Sequence, residues 1–225
     1  MWGLRLSRIP LANGPGPYSE LFRSRKVSDL NNLVGVASQI SGMLTEEAVK
    51  SLFMLCYTQQ LQGDVVEIGS WQGYSTSFLA RAVAESGNGR MYAIDHFKGN
   101  VGKEDFYTVG KSDLSDLEER FRENMQRLNL AQTVRLLVMS NQDAREELCR
   151  EAVKIRFLFI DGDHSRDGVQ RDVELFFPLL MKGAIVVFDD CSLSAPGVIE
   201  AVDRLLENNG CEKVFAFSNT AVVVI

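Results

Sequence analysis

The sequence predicts a doubly wound α/β domain: a seven-stranded, mostly parallel sheet that ends in a C-terminal antiparallel hairpin. Three observations predict it. Five runs, "DVVEIG", "RMYAID", "TVRLLVM", "IRFLFID" and "GAIVVFDD", are almost continuously apolar, as strands buried on both faces are. Amphipathic stretches alternate with them, the pattern of strand–helix–strand crossovers. The last segment, "KVFAFSNTAVVVI", leaves only Ser218 and Asn219 between two β runs, so these two pair as a hairpin.

Each element has its own signal. Residues 1–44 read as an N-terminal arm and lead-in, rich in Gly, Pro and Asn over 1–19, and residues 45–225 as the domain proper. "LTEEAVKSLFMLCYTQQL" has helical periodicity, with Thr45 placed to cap it and Glu46 and Glu47 in the first turn. "YSTSFLARAVAES", "SDLEERFRENMQRLNL", "NQDAREELCREAV" and "DGVQRDVELFFPLL" supply helices between the first five strands. "PGVIEAVDRLLENN" supplies the helix before the hairpin. The charge run "DLEERFRENMQR" reads as a solvated helix face laced by i,i+4 pairs. Residues 97–112 form a long polar insertion after the second strand, a length that often carries function.

Composition narrows the class. The 225 residues are 45% hydrophobic and 24% charged, which fits one sizeable domain with a real core. A net charge of −6, with no basic stretch, argues against nucleic-acid partners. No apolar run is long enough to span a bilayer, and "MWGLRLSRIPLANGPGP" lacks the apolar centre of a signal peptide. The cysteines Cys56, Cys149, Cys191 and Cys211 lie far apart and read as reduced thiols of a cytoplasmic protein.

The chemistry gathers at strand ends, because ligands of open α/β sheets bind beyond the carboxyl ends of the strands. In "EIGSWQG", Gly69 would permit a sharp turn and Gly73 would let a ligand lie against backbone. The N–H groups of Tyr74 and Ser75 would sit at the positive end of the next helix, suited to a carboxylate. A turn that needs glycine only for its geometry would look the same. Asp95, at the end of the second strand, could accept hydrogen bonds from two ribose hydroxyls, or cap a polar loop. The spacing is E-x-G-x-x-x-G, not the G-x-G-x-x-G of dinucleotide sites, which disfavours an NAD-dependent dehydrogenase.

Two acidic clusters follow, "FLFIDGDHSRDG" after the fourth strand and "VVFDDCSL" after the fifth. Adjacent parallel strands open onto one edge, so Asp161, Asp163 and His164 should face Asp189 and Asp190. So many carboxylates repel one another unless a cation sits between them. Hard oxygen ligands favour Mg²⁺, with Mn²⁺ or Ca²⁺ as alternatives. Any one of these acids could instead cap a helix.

The glycine turn, Asp95 and the terminal hairpin together resemble class I, Rossmann-like S-adenosylmethionine-dependent methyltransferases, over nearly all the chain from about residue 45. The resemblance implies that the Glu67–Gly73 turn, with Ser75, lies against the methionine half and that Asp95 holds the ribose. It places Ser140 and Asp143, in "VMSNQDA", at the adenine, although either residue type equally suits a helix N-cap. "IDGDHSRDG" followed by "FDD" is similar to the metal-dependent sugar O-methyltransferases of macrocin type. That similarity implies Asp161, Asp189 and Asp190 as Mg²⁺ ligands, with Asp161 also bordering the cofactor, and Asp163 or His164 as general base. Where that family usually carries Tyr after the HS pair, this chain has Arg166, on the substrate side. The activity implied is methylation of a hydroxyl on a small-molecule acceptor such as a glycoside or natural product. A catechol-type O-methyltransferase and a non-catalytic S-adenosylmethionine-binding protein of the same fold are the alternatives. Trp71 is read as a cofactor neighbour or a core residue, and His96 as structural or a nucleoside contact. The arm, with Trp2 and Tyr18, is open to closing over substrate or meeting a second subunit of a homo-oligomer.

Overall fold

The structure, a computed structural model, describes residues 29–99, 114–208, 210–217 and 219–225. Trp2, Tyr18 and most of the insertion at 97–112 lie outside the described residues. The strands are β1 (Asp64–Ile68), β2 (Met91–Ile94), β3 (Val134–Leu137), β4 (Ile155–Ile160), β5 (Leu180–Phe188), β6 (Lys213–Phe217) and β7 (Thr220–Val224). The helices are α1 (Leu30–Ala37), α2 (Glu46–Thr58), α3 (Tyr74–Ser86), α4 (Leu117–Arg127), α5 (Asn141–Arg150), α6 (Arg166–Phe176) and α7 (Pro196–Glu207). They form one seven-stranded sheet in the order β3-β2-β1-β4-β5-β7-β6. β1 to β5 run parallel, and β7 pairs antiparallel with both β5 and β6. The expected architecture, terminal hairpin included, is therefore present.

The alternation of side chains along the strands builds two cores. Phe157 and Phe159 of β4 point into a layer with α1, α2, α3 and α4, while Leu158 and Ile160 point into a layer with α5, α6 and α7. All four are at most 2% exposed, and burial of each contributes about 1.5–3 kcal/mol. Residues read as lead-in join the first layer, since Leu33, Val34, Ala37 and Ile40 are all buried there. β5 starts three residues earlier than "GAIVVFDD", at Leu180, and passes Gly183 at φ +82°.

Local chemistry sets the helix ends. Thr45 caps α2, accepting the Ala48 N–H at 3.2 Å. α3 ends at Gly87, which is left-handed and donates its N–H to the Val83 carbonyl. α7 opens with Pro196, where a missing N–H costs nothing. On α4 the pairs Arg120–Asp116 and Arg122–Glu118 lace the solvated face, as the charge run predicted. Strand order reverses between β1 and β4, and a crevice at such a switch point is where ligands of open α/β sheets bind.

Candidate active site

A cavity of about 250 Å³ opens at the carboxyl edge of β1, β2, β4 and β5. Of the residues singled out in the sequence, Gly69, Asp95, Asp161, Asp163, His164 and Asp190 line it, as do Trp71 and His96. Glu67, Gly73, Ser75, Ser140, Asp143 and Asp189 do not reach its surface. Each sits where a local force puts it.

Gly69 has φ +83°, and a Cβ there would fall 2.1 Å from the Asp161 carbonyl oxygen. Glycine is needed because the ends of β1 and β4 nearly touch. Gly73 is also left-handed, at φ +89°, and what its missing side chain makes room for is another helix. A Cβ there would meet the Met125 Cε at 2.6 Å and the Phe121 ring at 3.1 Å, so α4 fills that space. Glu67 is fully buried beneath the turn and accepts a short hydrogen bond from the Thr76 hydroxyl. Burial pushes its carboxyl up to about 7, against the opposing pull of the Ser75, Thr76 and Ser70 hydroxyls. Ser75 thus faces Glu67 rather than the cavity.

Asp95 organises the turn. Its Oδ2 accepts the Ser70 N–H at 3.0 Å and the Trp71 N–H at 2.9 Å, and its Oδ1 accepts the Phe97 N–H at 2.7 Å. It still faces the cavity, with acceptor capacity remaining on Oδ1. Ser140 is the N-cap of α5, accepting the Asp143 N–H at 3.2 Å, and its own hydroxyl donates to the Asp143 carboxylate. From that segment it is Asn141 that lines the cavity. Asn141 Nδ2 donates to Asp172 Oδ1 at 2.6 Å. Asp172 is 2% exposed, and burial raises its carboxyl to about 7. A sequence signal existed for Asp172: it shares the buried stripe of α6 with Val169 and Phe176.

The two acidic strand ends meet as expected. His164 lies between them, its Nδ1 3.0 Å from Asp190 Oδ2 and its Nε2 3.3 Å from Asp161 Oδ1. The Nε2 approach is not in hydrogen-bonding geometry. Burial lowers the His164 pKa, but Asp161 first, then Asp190 and Asp189, outweigh it, and the net shift is upward. Asp189 is 7% exposed, and its Oδ1 is buried without a hydrogen-bond partner. Its own burial first, then the charges of Asp161 and Asp190, push its carboxyl up to about 7. Asp161 is raised as well, by burial above all. Asp163 is occupied differently: Ser165 donates its N–H to Oδ1 at 3.0 Å and its hydroxyl to Oδ2 at 2.8 Å. Arg166, beside this cluster, pairs with Glu200 of α7 and does not line the cavity. Among the described residues, no three His, Cys, Asp or Glu side chains are already drawn together as a metal cage.

A family model described as a methyltransferase domain matches residues 66–191, from the middle of β1 to just past the Asp189–Asp190 pair. The chain belongs to this methyltransferase family. The methyltransferase is also similar in structure to an O-methyltransferase from Bacillus cereus in complex with S-adenosylhomocysteine. There the TM-score is 0.64 at 18% identity, covering 88% of this chain and 92% of that one. The O-methyltransferase NovP gives a TM-score of 0.65 at 19% identity, with 81% of each chain covered. TomG from Streptomyces achromogenes, an O-methyltransferase of tomaymycin synthesis in complex with S-adenosylmethionine, gives 0.60 at 19% identity, covering 91% and 94%. At these identities the likeness establishes the Rossmann-like methyltransferase fold. Among the described residues, no helix of the methyltransferase is long and apolar enough to cross a membrane.

Proposed function

We propose that this methyltransferase carries out S-adenosylmethionine-dependent O-methylation of a small-molecule hydroxyl, assisted by a divalent cation, Mg²⁺ by preference. The observation that carries the reading is the meeting of Asp161, Asp190 and His164 at one wall of the cavity whose floor is the Gly69–Asp95 turn. O-methyltransferases of the same fold with S-adenosyl ligands bound support the donor. When bound, S-adenosylmethionine supplies the methyl group and the cation acidifies the acceptor hydroxyl.

The residues present fit a cation. Asp189 Oδ1 is buried with no partner, and the carboxyls of Asp161 and Asp189 are both raised by crowding and burial. These are hard oxygen donors whose mutual repulsion a positive charge would relieve. Asp161, Asp189 and Asp190 would hold it. His164 takes the proton of the acceptor hydroxyl in this reading, because Ser165 already engages both carboxylate oxygens of Asp163. Asp163 then fixes the start of α6. Asp95 holds the ribose and Asn141 borders the adenine. The macrocin-type motif supports a glycosidic hydroxyl as acceptor.

The test is methyl transfer to a panel of glycosides and catechols, in EDTA and after Mg²⁺ add-back. Alanine at Asp189 or Asp190 should abolish Mg²⁺ binding and turnover while leaving S-adenosylmethionine binding in place, whereas alanine at Asp161, which also borders the cofactor, should weaken both. His164→Ala should keep the metal and lose about 10²–10⁴-fold in rate. Full activity in EDTA would remove the cation from the reaction and leave these carboxylates as structural groups.

A further inference from the structure

Asp190 stands just past β5 with φ +54°, a left-handed conformation that aspartate adopts more readily than most residues with a side chain. The contacts that hold it there come from the far end of the chain. Asn219, in the turn of the β6–β7 hairpin, donates its Nδ2–H to Asp190 Oδ1 at 2.9 Å. Its backbone carbonyl accepts the Cys191 N–H at 2.5 Å. The Asp190 carbonyl in turn accepts the Ser192 N–H at 2.7 Å. The second carboxylate oxygen, Oδ2, is left turned toward His164.

We propose that Asn219 is a positioning residue for the acid cluster: its amide clamps one oxygen of Asp190 so that the other stays turned into the cavity. The inference rests on the reading of Asp161, Asp189 and Asp190 as cation ligands. Without the clamp, the two neighbouring carboxylates would drive Asp190 outward, because its side chain is 40% exposed and has solvent to turn into. An amide suits the task by its charge. A carboxylate at 219 would repel Asp190, and a lysine or arginine would neutralise the negative charge that a cation needs. Outer groups of this kind fix the orientation of a ligand and tune its affinity.

The experiment compares Asn219→Ala with Val222→Ala. Val222 is 4% exposed in β7, so its truncation loosens the same hairpin without touching Asp190. Mg²⁺ binding is measured by calorimetry with S-adenosylhomocysteine present, alongside the melting temperature. Asn219→Ala should weaken Mg²⁺ about 10- to 100-fold and leave S-adenosylhomocysteine affinity unchanged. Val222→Ala should melt earlier and bind Mg²⁺ as the wild type does. If Asn219→Ala does not fold, Asn219→Ser replaces it. Serine is at home in turns, its hydroxyl stops a bond short of Asp190, and the same loss is expected. Wild-type Mg²⁺ affinity in the Asn219 variant, or an equal loss in Val222→Ala, would overturn the inference and leave the cation reading standing. A wild-type protein that binds no Mg²⁺ would overturn the cation reading, and this inference with it.

Discussion

Asp95 anchors a turn and lines the cavity at once, with a single carboxylate. Three backbone N–H groups, of Ser70, Trp71 and Phe97, converge on it. Its replacement therefore does more than delete the acceptor proposed for the ribose. Asp95→Ala should weaken S-adenosylmethionine binding about tenfold or more, since hydrogen bonds to a charged group are the stronger ones. It should also lower the melting temperature, because the glycine turn loses its anchor. Calorimetry on a folded variant with wild-type affinity would take Asp95 out of cofactor contact and leave it as a structural brace. The acid at the end of β2 was legible from its position. Its two donors from the glycine turn were not, because Ser70 and Trp71 lie 25 and 24 residues away in the chain.

Arg156 ties whole elements together. It sits in the central strand β4 and is completely buried. Its Nε donates to the Gly63 carbonyl at 3.0 Å, its Nη1 to the Cys56 carbonyl at 2.7 Å and its Nη2 to the Asn88 carbonyl at 3.1 Å. These acceptors end α2, precede β1 and connect α3 to β2. One guanidinium fork thus satisfies a helix end and two loops at the amino edge of the sheet, opposite the cavity. Arg156→Met keeps much of the volume but strips the carbonyls of their donor. Each buried polar group left unpaired costs about 1–3 kcal/mol, so a loss on the order of 3 kcal/mol or more is expected in urea unfolding. S-adenosylmethionine affinity should hardly change, since the cavity lies at the other end of β4. A loss below about 1 kcal/mol would mean that the carbonyls find other donors. In the sequence this arginine is a charge within "IRFLFI", and periodicity alone gives it no partner.

Across the whole molecule, the buried acids make stability depend on pH. Burial raises Glu67 from 4.5, and Asp172 and Asp189 from 3.8, each to about 7. The folded chain therefore keeps protons that the unfolded chain has released. Their contribution to stability is full below about pH 4, declines as pH rises through about 7 and is level above that. In EDTA the melting temperature should fall from pH 5 to pH 8. Mg²⁺ should raise it more at pH 8 than at pH 5, because the carboxylates must lose their protons to bind. A melting temperature that climbs steadily from pH 5 to pH 8 in EDTA would show that these acids titrate in their ordinary range.

Pattern along the chain was enough for the strands, the helices from Thr45 onward, the terminal hairpin and the edge at which the acids collect, but not for α1, which lies in the stretch read as lead-in. Those follow from periodicity, capping residues and the rule that parallel strands deliver their carboxyl ends to one side, all local or topological facts. It also named Gly69, Asp95, Asp161, Asp163, His164 and Asp190, which share the cavity wall. What each atom meets depended on the folded chain. Folding turned Gly73 toward Met125, set Ser140 as a cap, put Asn141 on Asp172 and brought Asn219 onto Asp190. The last two bonds span 31 and 29 residues. Their donors reach their acceptors because β3, β4, β5 and β7 take the places they do in the sheet. No window of the sequence contains both partners, so no local pattern could pair them.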